Sequence, residues 1–311
     1  MVDFLRYRPV RALAGAAFWT WVVGASPVWA APLLGSDLAS FAVLGASTVT
    51  NIPTSTVVGS VGVSPGSAIT GFLSVGGVAT ADPQVTGGTV QATTAVAGQA
   101  HIELNNAIVN LGLLGPGTLL SGDLVGLTIL PGVYSVPASV SNLTGAVTLD
   151  GQGNANAVWV FLFDSTLITS SGSVVNVINT GSGAGLYWDV GSSATLGTTT
   201  SFQGNILANQ SITFNTGATI GCGRALAENG AVTMDQNTIG TGCYPGTGGQ
   251  GTNGFSGGLS VATGASGERP TFLPFKSVDS IPEPEALTVL VSGLLGLALA
   301  LGSIRSVGSR K

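Results

Sequence analysis

Between Gly145 and Gly240 short apolar and polar runs alternate, and the runs recur. Five segments begin alike: Thr148-Leu149-Asp150, Thr166-Leu167-Ile168, Thr195-Leu196-Gly197, Thr213-Phe214-Asn215 and Thr233-Met234-Asp235. Their starts are 18, 29, 18 and 20 residues apart, so one interval carries an insertion. A repeat of about twenty residues is too short for a βαβ crossover and fits stacked units of two or three short strands. The pattern predicts a β-solenoid.

Stacking these segments in register sets up columns. The Thr of each start precedes a large apolar residue (Leu149, Leu167, Leu196, Phe214, Met234). Side chains alternate between the two faces of a strand, so an inward apolar column turns the Thr column outward. A second hydroxyl column is expected at Thr169, Thr198 and Thr216, with Gln236 as the exception. A third is expected at Ser201, Thr219 and Thr238, each just before an apolar residue. Rungs lie about 4.7–4.9 Å apart, so such columns make a grid of hydroxyls and methyls. Threonine also suits a strand simply because it is β-branched.

Upstream, Phe41 to Asn51 and Val57 to Phe72 carry further strand signals broken by Gly and Pro, which read as rungs separated from the main run. Asn156 to Phe163 is the most apolar strand, expected to be covered on both faces. Between the two strand regions the period changes. Val96, Ala100, Leu104, Ala107, Ile108 and Leu111 recur at three and four, the stripe of an amphipathic helix expected over about 89–111. Gly112 and Gly115-Pro116-Gly117 end it. His101, the one histidine, falls on the polar side of this helix, where a residue without a role is expected.

Charged residues make up 7% of the chain, with 9 Lys+Arg against 14 Asp+Glu and a net charge of -5. An ordinary soluble domain has about 25%. A basic phosphate-binding surface is excluded, and nucleic acid with it. The surface must be covered mainly by Ser, Thr, Asn, Gln and Gly. The two cysteines and a distant histidine are too few for a metal site, and no cofactor is expected. Register brings Cys222 and Cys243 together near a solenoid end, and in an exported chain a disulfide between them is expected.

Export is read from residues 1–30. Arg6, Arg8 and Arg11 precede an apolar run, and Val28-Trp29-Ala30 gives a signal-peptide cut before the mature domain, 31–243. Residues 244–280 are Gly/Ser-rich and read as a flexible linker. Residues 281–311 hold Pro282-Glu283-Pro284, an apolar segment over 286–303 and a basic end. Together these resemble the PEP-CTERM sorting signal of Gram-negative bacteria. That resemblance implies cleavage by an exosortase-type enzyme, transient anchoring in the inner membrane, and a cell-surface or extracellular destination alongside exopolysaccharide.

The strand motifs carry a second resemblance. Phe41 to Asn51 and Gly62 to Phe72, with Leu130-Pro131-Gly132-Val133-Tyr134, Gly204 to Ala208 and Gly223 to Ala227, resemble the microbial ice-binding (antifreeze) protein family. The likeness spans about residues 36–241. It implies a mainly β fold, a right-handed discontinuous β-solenoid of triangular section with one long α-helix packed along a face. It also implies adsorption to ice through a flat solenoid face. Thr216-Gly217-Ala218-Thr219 matches a Thr-(Ala/Gly)-x-(Thr/Asn) pattern used by part of the family, and Thr198-Thr199-Thr200-Ser201 departs from it. On this reading Thr166, Thr195, Thr213 and Thr233, with Thr198, Thr216, Ser201, Thr219 and Thr238, contact ice or ordered water, and the protein is a monomer.

Two other classes compete. An adhesin or matrix protein binding exopolysaccharide is favoured by the sorting signal. A glycan hydrolase would need two carboxyls flanking a bond, yet Asp123, Asp150, Asp164, Asp189, Glu228 and Asp235 are scattered without a shared motif. The chain is therefore not expected to be an enzyme.

Overall fold

The computed structural model describes residues 30–243, 247–262 and 270–278. The expected signal peptide, apart from Ala30, and the expected sorting signal with its apolar segment 286–303 lie outside the described residues. Among the described residues no helix is long and apolar enough to cross a membrane.

Short parallel strands stack coil upon coil in three lines. Line A runs Leu167–Ile168, Ala194–Leu196, Ile212–Phe214, Val232–Asp235, Thr48–Ile52 and Ala68–Thr70. Line B runs from Thr128–Ile129 through Ala146–Asn154 and Val174–Thr180. It continues through the first residues of Ser201–Ala208 and Thr219–Ala227 to Thr238–Gly240, Thr56–Val58 and Val85–Thr86. Line C holds the apolar strands Val158–Phe163 and Gly185–Val190, the later halves of Ser201–Ala208 and Thr219–Ala227, then Phe41–Gly45, Ser60–Val63 and Val90–Ala92. Chain order breaks at one junction in all three lines. Ala225 pairs with Val43, Val232 with Val49, and Thr238 with Thr56. The amino-terminal coils thus extend the far end of the carboxy-terminal stack.

Helix α1, Ala95–Gly112, carries the chain back along line C. It starts later than the periodicity predicts. Thr94 caps it, its side chain accepting from the Ala97 N–H at 3.1 Å. Val90–Ala92, placed in the helix by the sequence reading, pairs with Val61–Val63 instead, where β-branched Val90 is fully buried. The buried stripe is Ala97, Ala100, Leu104, Ala107 and Leu111, while Val96 is exposed. The alanines let the helix come close to outward-facing Phe41, Leu44, Val158, Val160, Leu207 and Leu226 of line C. Line C is therefore buried on both sides.

A second core fills the inside of the stack. Phe161 and Trp188 stack at 4.2 Å between centroids, and Tyr134 and Phe202 continue the ladder. The indole N–H groups are satisfied, Trp159 by the Ile129 carbonyl at 3.1 Å and Trp188 by that of Gln203 at 2.9 Å. Cys222 and Cys243 are joined by a disulfide.

The tract expected as a linker is folded where it is described. Leu259–Ala262 pairs antiparallel with Ala30–Pro32 and with Thr271–Phe272. Phe255 is fully buried, and its carbonyl accepts from Asn205 Nδ2 at 2.9 Å and the Leu186 N–H at 3.0 Å. Arg224, itself fully buried, donates to the carbonyls of Asn253 at 3.0 Å and Ala39 at 2.7 Å, and to Asn205 Oδ1 at 2.9 Å. The glycines that suggested a linker serve as turns between these anchors. Gly251, Gly254 and Gly258 all hold positive φ.

Candidate functional site

With line C under the helix, the outward surfaces of lines A and B are the two broad strand faces left free. On line A, Thr195, Thr213, Thr233, Thr50 and Thr70 stand in one unbroken column. Thr50 and Thr70 were not expected there, because they come from the amino-terminal coils. Thr166 was expected there and is displaced. Leu167 pairs with Ala194, so Ile168 is the residue beside Thr195. Thr166 falls two positions away, next to Ser193, whose carbonyl accepts from the Leu167 N–H. The insertion in the 29-residue interval shifts the register by two. Thr148, the first of the repeated starts, belongs to line B, between Thr128 and Asn176.

The five column hydroxyls have no protein partner among the described residues. Two neighbouring serines of line A do. Ser193 Oγ accepts from the Ser211 N–H at 3.3 Å, and Ser211 Oγ from the Ala231 N–H at 3.1 Å. These serines fasten one coil to the next and leave the threonines facing water.

Line B brings together Ser201, Thr219 and Thr238, and adds Thr56. Thr219 Oγ1 lies 3.3 Å from the Thr200 carbonyl, and the other three hydroxyls have no protein partner among the described residues. Line B is also less open than line A, because Thr247 packs against the outward side of Gly221.

Lines A and B meet at a corner where four successive coils turn through a residue of positive φ: Gly172, Thr199, Gly217 and Gln236. Thr198 and Thr216 sit exposed at this corner. Thr216 Oγ1 is tied to the Asp235 carboxylate, so Asp235, not Gln236, stands opposite it. Thr169 is a correction to the expected second column. It is buried, with its hydroxyl 2.9 Å from that of Thr200, because the two-residue shift that puts Ile168 beside Thr195 puts Thr169 level with inward-facing Leu196.

Apart from Asp235 at the corner, the ionisable groups described here lie away from these columns. His101 is not a bare surface residue. Its Nε2 lies 3.8 Å from Glu228 Oε1, which also accepts from Asn105 Nδ2 at 2.9 Å, in the seam between helix and strands. Asp123 is held below the usual carboxylate range by hydrogen bonds from Thr144 and the Val125 N–H, which outweigh the upward push of burial. Asp150 is likewise lowered by hydrogen bonds from the Gln152 N–H and Asn179. Asp189 faces the same cleft as Asp164 and Ser135, beside the end of α1, and burial pushes its carboxyl up to about 7. Burial brings Arg224 down to about 10, so it keeps its charge at neutral pH. No cluster of three potential metal ligands occurs among the described residues.

Residues 43–240, well over half of the chain, match the model of the Ice-binding-like family. The chain belongs to that family. It is 48% identical over 206 residues to an ice-binding protein of Nostoc sp. (strain HG1), covering 66% of this chain and 72% of that one. An ice-binding protein of Flavobacterium frigoris (strain PS1) is 32% identical over 212 residues, covering 65% and 73%. Among solved structures, an ice-binding protein from an Antarctic biological consortium aligns with a TM-score of 0.58 at 38% identity, over 69% of this chain and 93% of that one. One from the Antarctic ascomycete Antarctomyces psychrotrophicus aligns with a TM-score of 0.59 at 34% identity, over 68% and 98%. The folded segments 247–262 and 270–278 lie beyond the span that matches the family model.

Proposed function

We propose that this protein is an exported ice-binding protein that adsorbs to ice through line B and its corner with line A. The observation that carries this reading is the column Ser201, Thr219, Thr238 and Thr56 across four consecutive coils, flanked on two of them by Thr198 and Thr216. Five of the nine expected residues gather there, and the Thr216-to-Thr219 spacing follows the Thr-Gly-x-Thr pattern. We read the three lines as the faces of a right-handed β-solenoid of triangular section, rigid because every coil is bonded to the next.

Mechanism follows from the spacing. Outward methyls favour caged water, and hydroxyls about 4.8 Å apart pin that water at the strand repeat. None of the four column residues carries a charge that would impose a competing hydration shell. Little side-chain entropy is lost on contact, because β-branched side chains on a bonded sheet are already stiff.

A matrix role is the second reading, favoured by one feature of the sequence: Pro282-Glu283-Pro284, with its apolar run and basic end, resembles a sorting signal that implies a destination alongside exopolysaccharide. The test is partition of the purified protein into slowly growing ice, in parallel with pull-down on bacterial exopolysaccharide. Enrichment in ice supports adsorption; exclusion from ice with retention on polysaccharide would move the matrix role to first place.

A further inference from the structure

We infer that residues 271–278 form a lipid-docking surface, which lays the domain against the membrane that holds its carboxy-terminal apolar segment. The inference rests on the sequence reading of 286–303 as a membrane segment and is independent of the ice reading.

Three observations carry it. Thr271 to Val278 is exposed at every residue, and Phe272, Leu273, Phe275 and Val278 are apolar, with Phe275 69% exposed. The backbone of the same segment is nonetheless fastened. The Leu273 N–H donates to the Gly258 carbonyl at 2.8 Å and the Val278 N–H to the Gly153 carbonyl at 2.9 Å. The Lys276 N–H donates to Asn154 Oδ1 at 3.1 Å, and the Pro274 carbonyl accepts from Asn156 Nδ2 at 2.8 Å. Main-chain polar groups are thus spent on the domain, and the apolar side chains are left outside. The third observation is where the chain goes next. Residues 279–285 join Val278 to the apolar segment, and seven extended residues span at most about 25 Å. At the other end, Ala30 follows the amino-terminal apolar run and pairs with Ala262, in the sheet that holds Thr271–Phe272. Both apolar ends of the sequence are thus joined to the domain through the sheet and segment that carry the patch.

The chemistry selects the occupant. A stable protein interface takes about 20–30 residues a side, and this patch offers four apolar side chains. A bilayer surface asks for less. Apolar side chains sink about 5–10 Å into the boundary of head groups and acyl chains, and backbone polar groups there must already be paired. Lys276, between Phe275 and Val278, has no side-chain partner among the described residues and suits lipid phosphate. Four side chains hold a bilayer weakly on their own, and the short tether supplies the effective concentration that keeps them there. The segment runs along the edge where line B passes into line C, at Gly153, Asn154 and Asn156. A docked molecule therefore turns line A away from the lipid.

The experiment is lipid quenching in the full chain reconstituted into vesicles of phosphatidylethanolamine and phosphatidylglycerol. The two native cysteines are joined to each other, so Ser277→Cys introduces a single thiol for an environment-sensitive fluorophore. Leu73→Cys is the control, 59% exposed and just beyond the last strand of line A, at the far end of the stack. Spin-labelled lipid should quench the probe at 277 several-fold more than the probe at 73. Adding Phe272→Ser and Phe275→Ser should bring the quenching at 277 down to that at 73. Quenching at 277 that survives both substitutions would overturn the inference, because the tether alone would then bring the segment near lipid. Equal quenching at the two positions would overturn it as well. So would shielding at 277 that grows with protein density and not with spin label, the mark of contact between copies. Failure of the chain to float with the vesicles would overturn the membrane reading of 286–303, and the inference with it. Unchanged near-ultraviolet circular dichroism checks each fold.

Discussion

Thr233 lies in register with Thr50 on adjacent parallel strands, although the helix and most of the coils lie between them in the chain. Beneath this pair, Val232 meets Val49, and both are fully buried. The junction joins the two pieces of the stack and makes the line A column continuous. Val49→Ala should destabilise the protein by about 2 kcal/mol, from lost burial and the cavity left behind. Urea unfolding measures this, and a change below about 0.5 kcal/mol would mean that the amino-terminal coils dock without that contact.

Thr199 holds φ at 56°, while the matching corner of the next coil is Gly217 at 71°. A β-branched residue in the left-handed region carries strain that glycine does not. Thr199→Gly is expected to stabilise by about 1 kcal/mol, read as a raised melting temperature. A loss of stability would show that the Thr199 hydroxyl, which donates to the Thr198 carbonyl at 2.7 Å, outweighs the strain.

Among the described residues Arg224 has carbonyl partners on Asn253 and Gly254 and no carboxylate partner. Ending the chain after residue 246 removes both acceptors from a buried cation and uncovers the site of Phe255. The expected cost is about 3 kcal/mol, which for a domain of this size lowers the melting temperature by about 6–12 °C. The same truncation in an Arg224→Met background should cost less, since the two changes share partners. Equal costs would show that the segment contributes through packing alone.

Asp189 predicts the pH dependence. Burial raises its folded carboxyl from the ordinary 3.8 to about 7. Between those values the folded state binds the extra proton, so stability falls as pH rises from about 4 to about 7. Asp189→Asn should flatten that slope and raise stability above pH 7 by about 2–4 kcal/mol. Chemical denaturation at pH 5 and pH 8 decides it; an unchanged slope in the variant would assign the dependence to other groups.

Much of this fold was legible because its periodicities are strong. The third expected column, Ser201, Thr219 and Thr238, stands in register, since two neighbouring repeats of nearly equal length leave no room to slip. Thr166 was misplaced because the spacing shows that the 29-residue interval carries an insertion but not how it divides around the strand, and a two-residue shift preserves the same inward and outward pattern. Thr50 and Thr70 were missed for a different reason. Their partners are remote in sequence, and no local signal states which coils adjoin. The fold of 247–262 was hidden by composition, because a few anchors such as Thr252, Phe255 and Leu259 hold a tract half of which is glycine and serine. The helix began late because Thr94, a good cap, competes with an apolar period that runs on into Val90.

The most direct test is thermal hysteresis and ice-crystal shape with the purified protein and its Thr219→Tyr variant, the fold of each checked by circular dichroism. Faceted crystals and a measurable freezing gap with wild type, sharply reduced by the line B substitution, are the predicted result. Unfaceted, disc-like growth with wild type at every concentration would contradict the account.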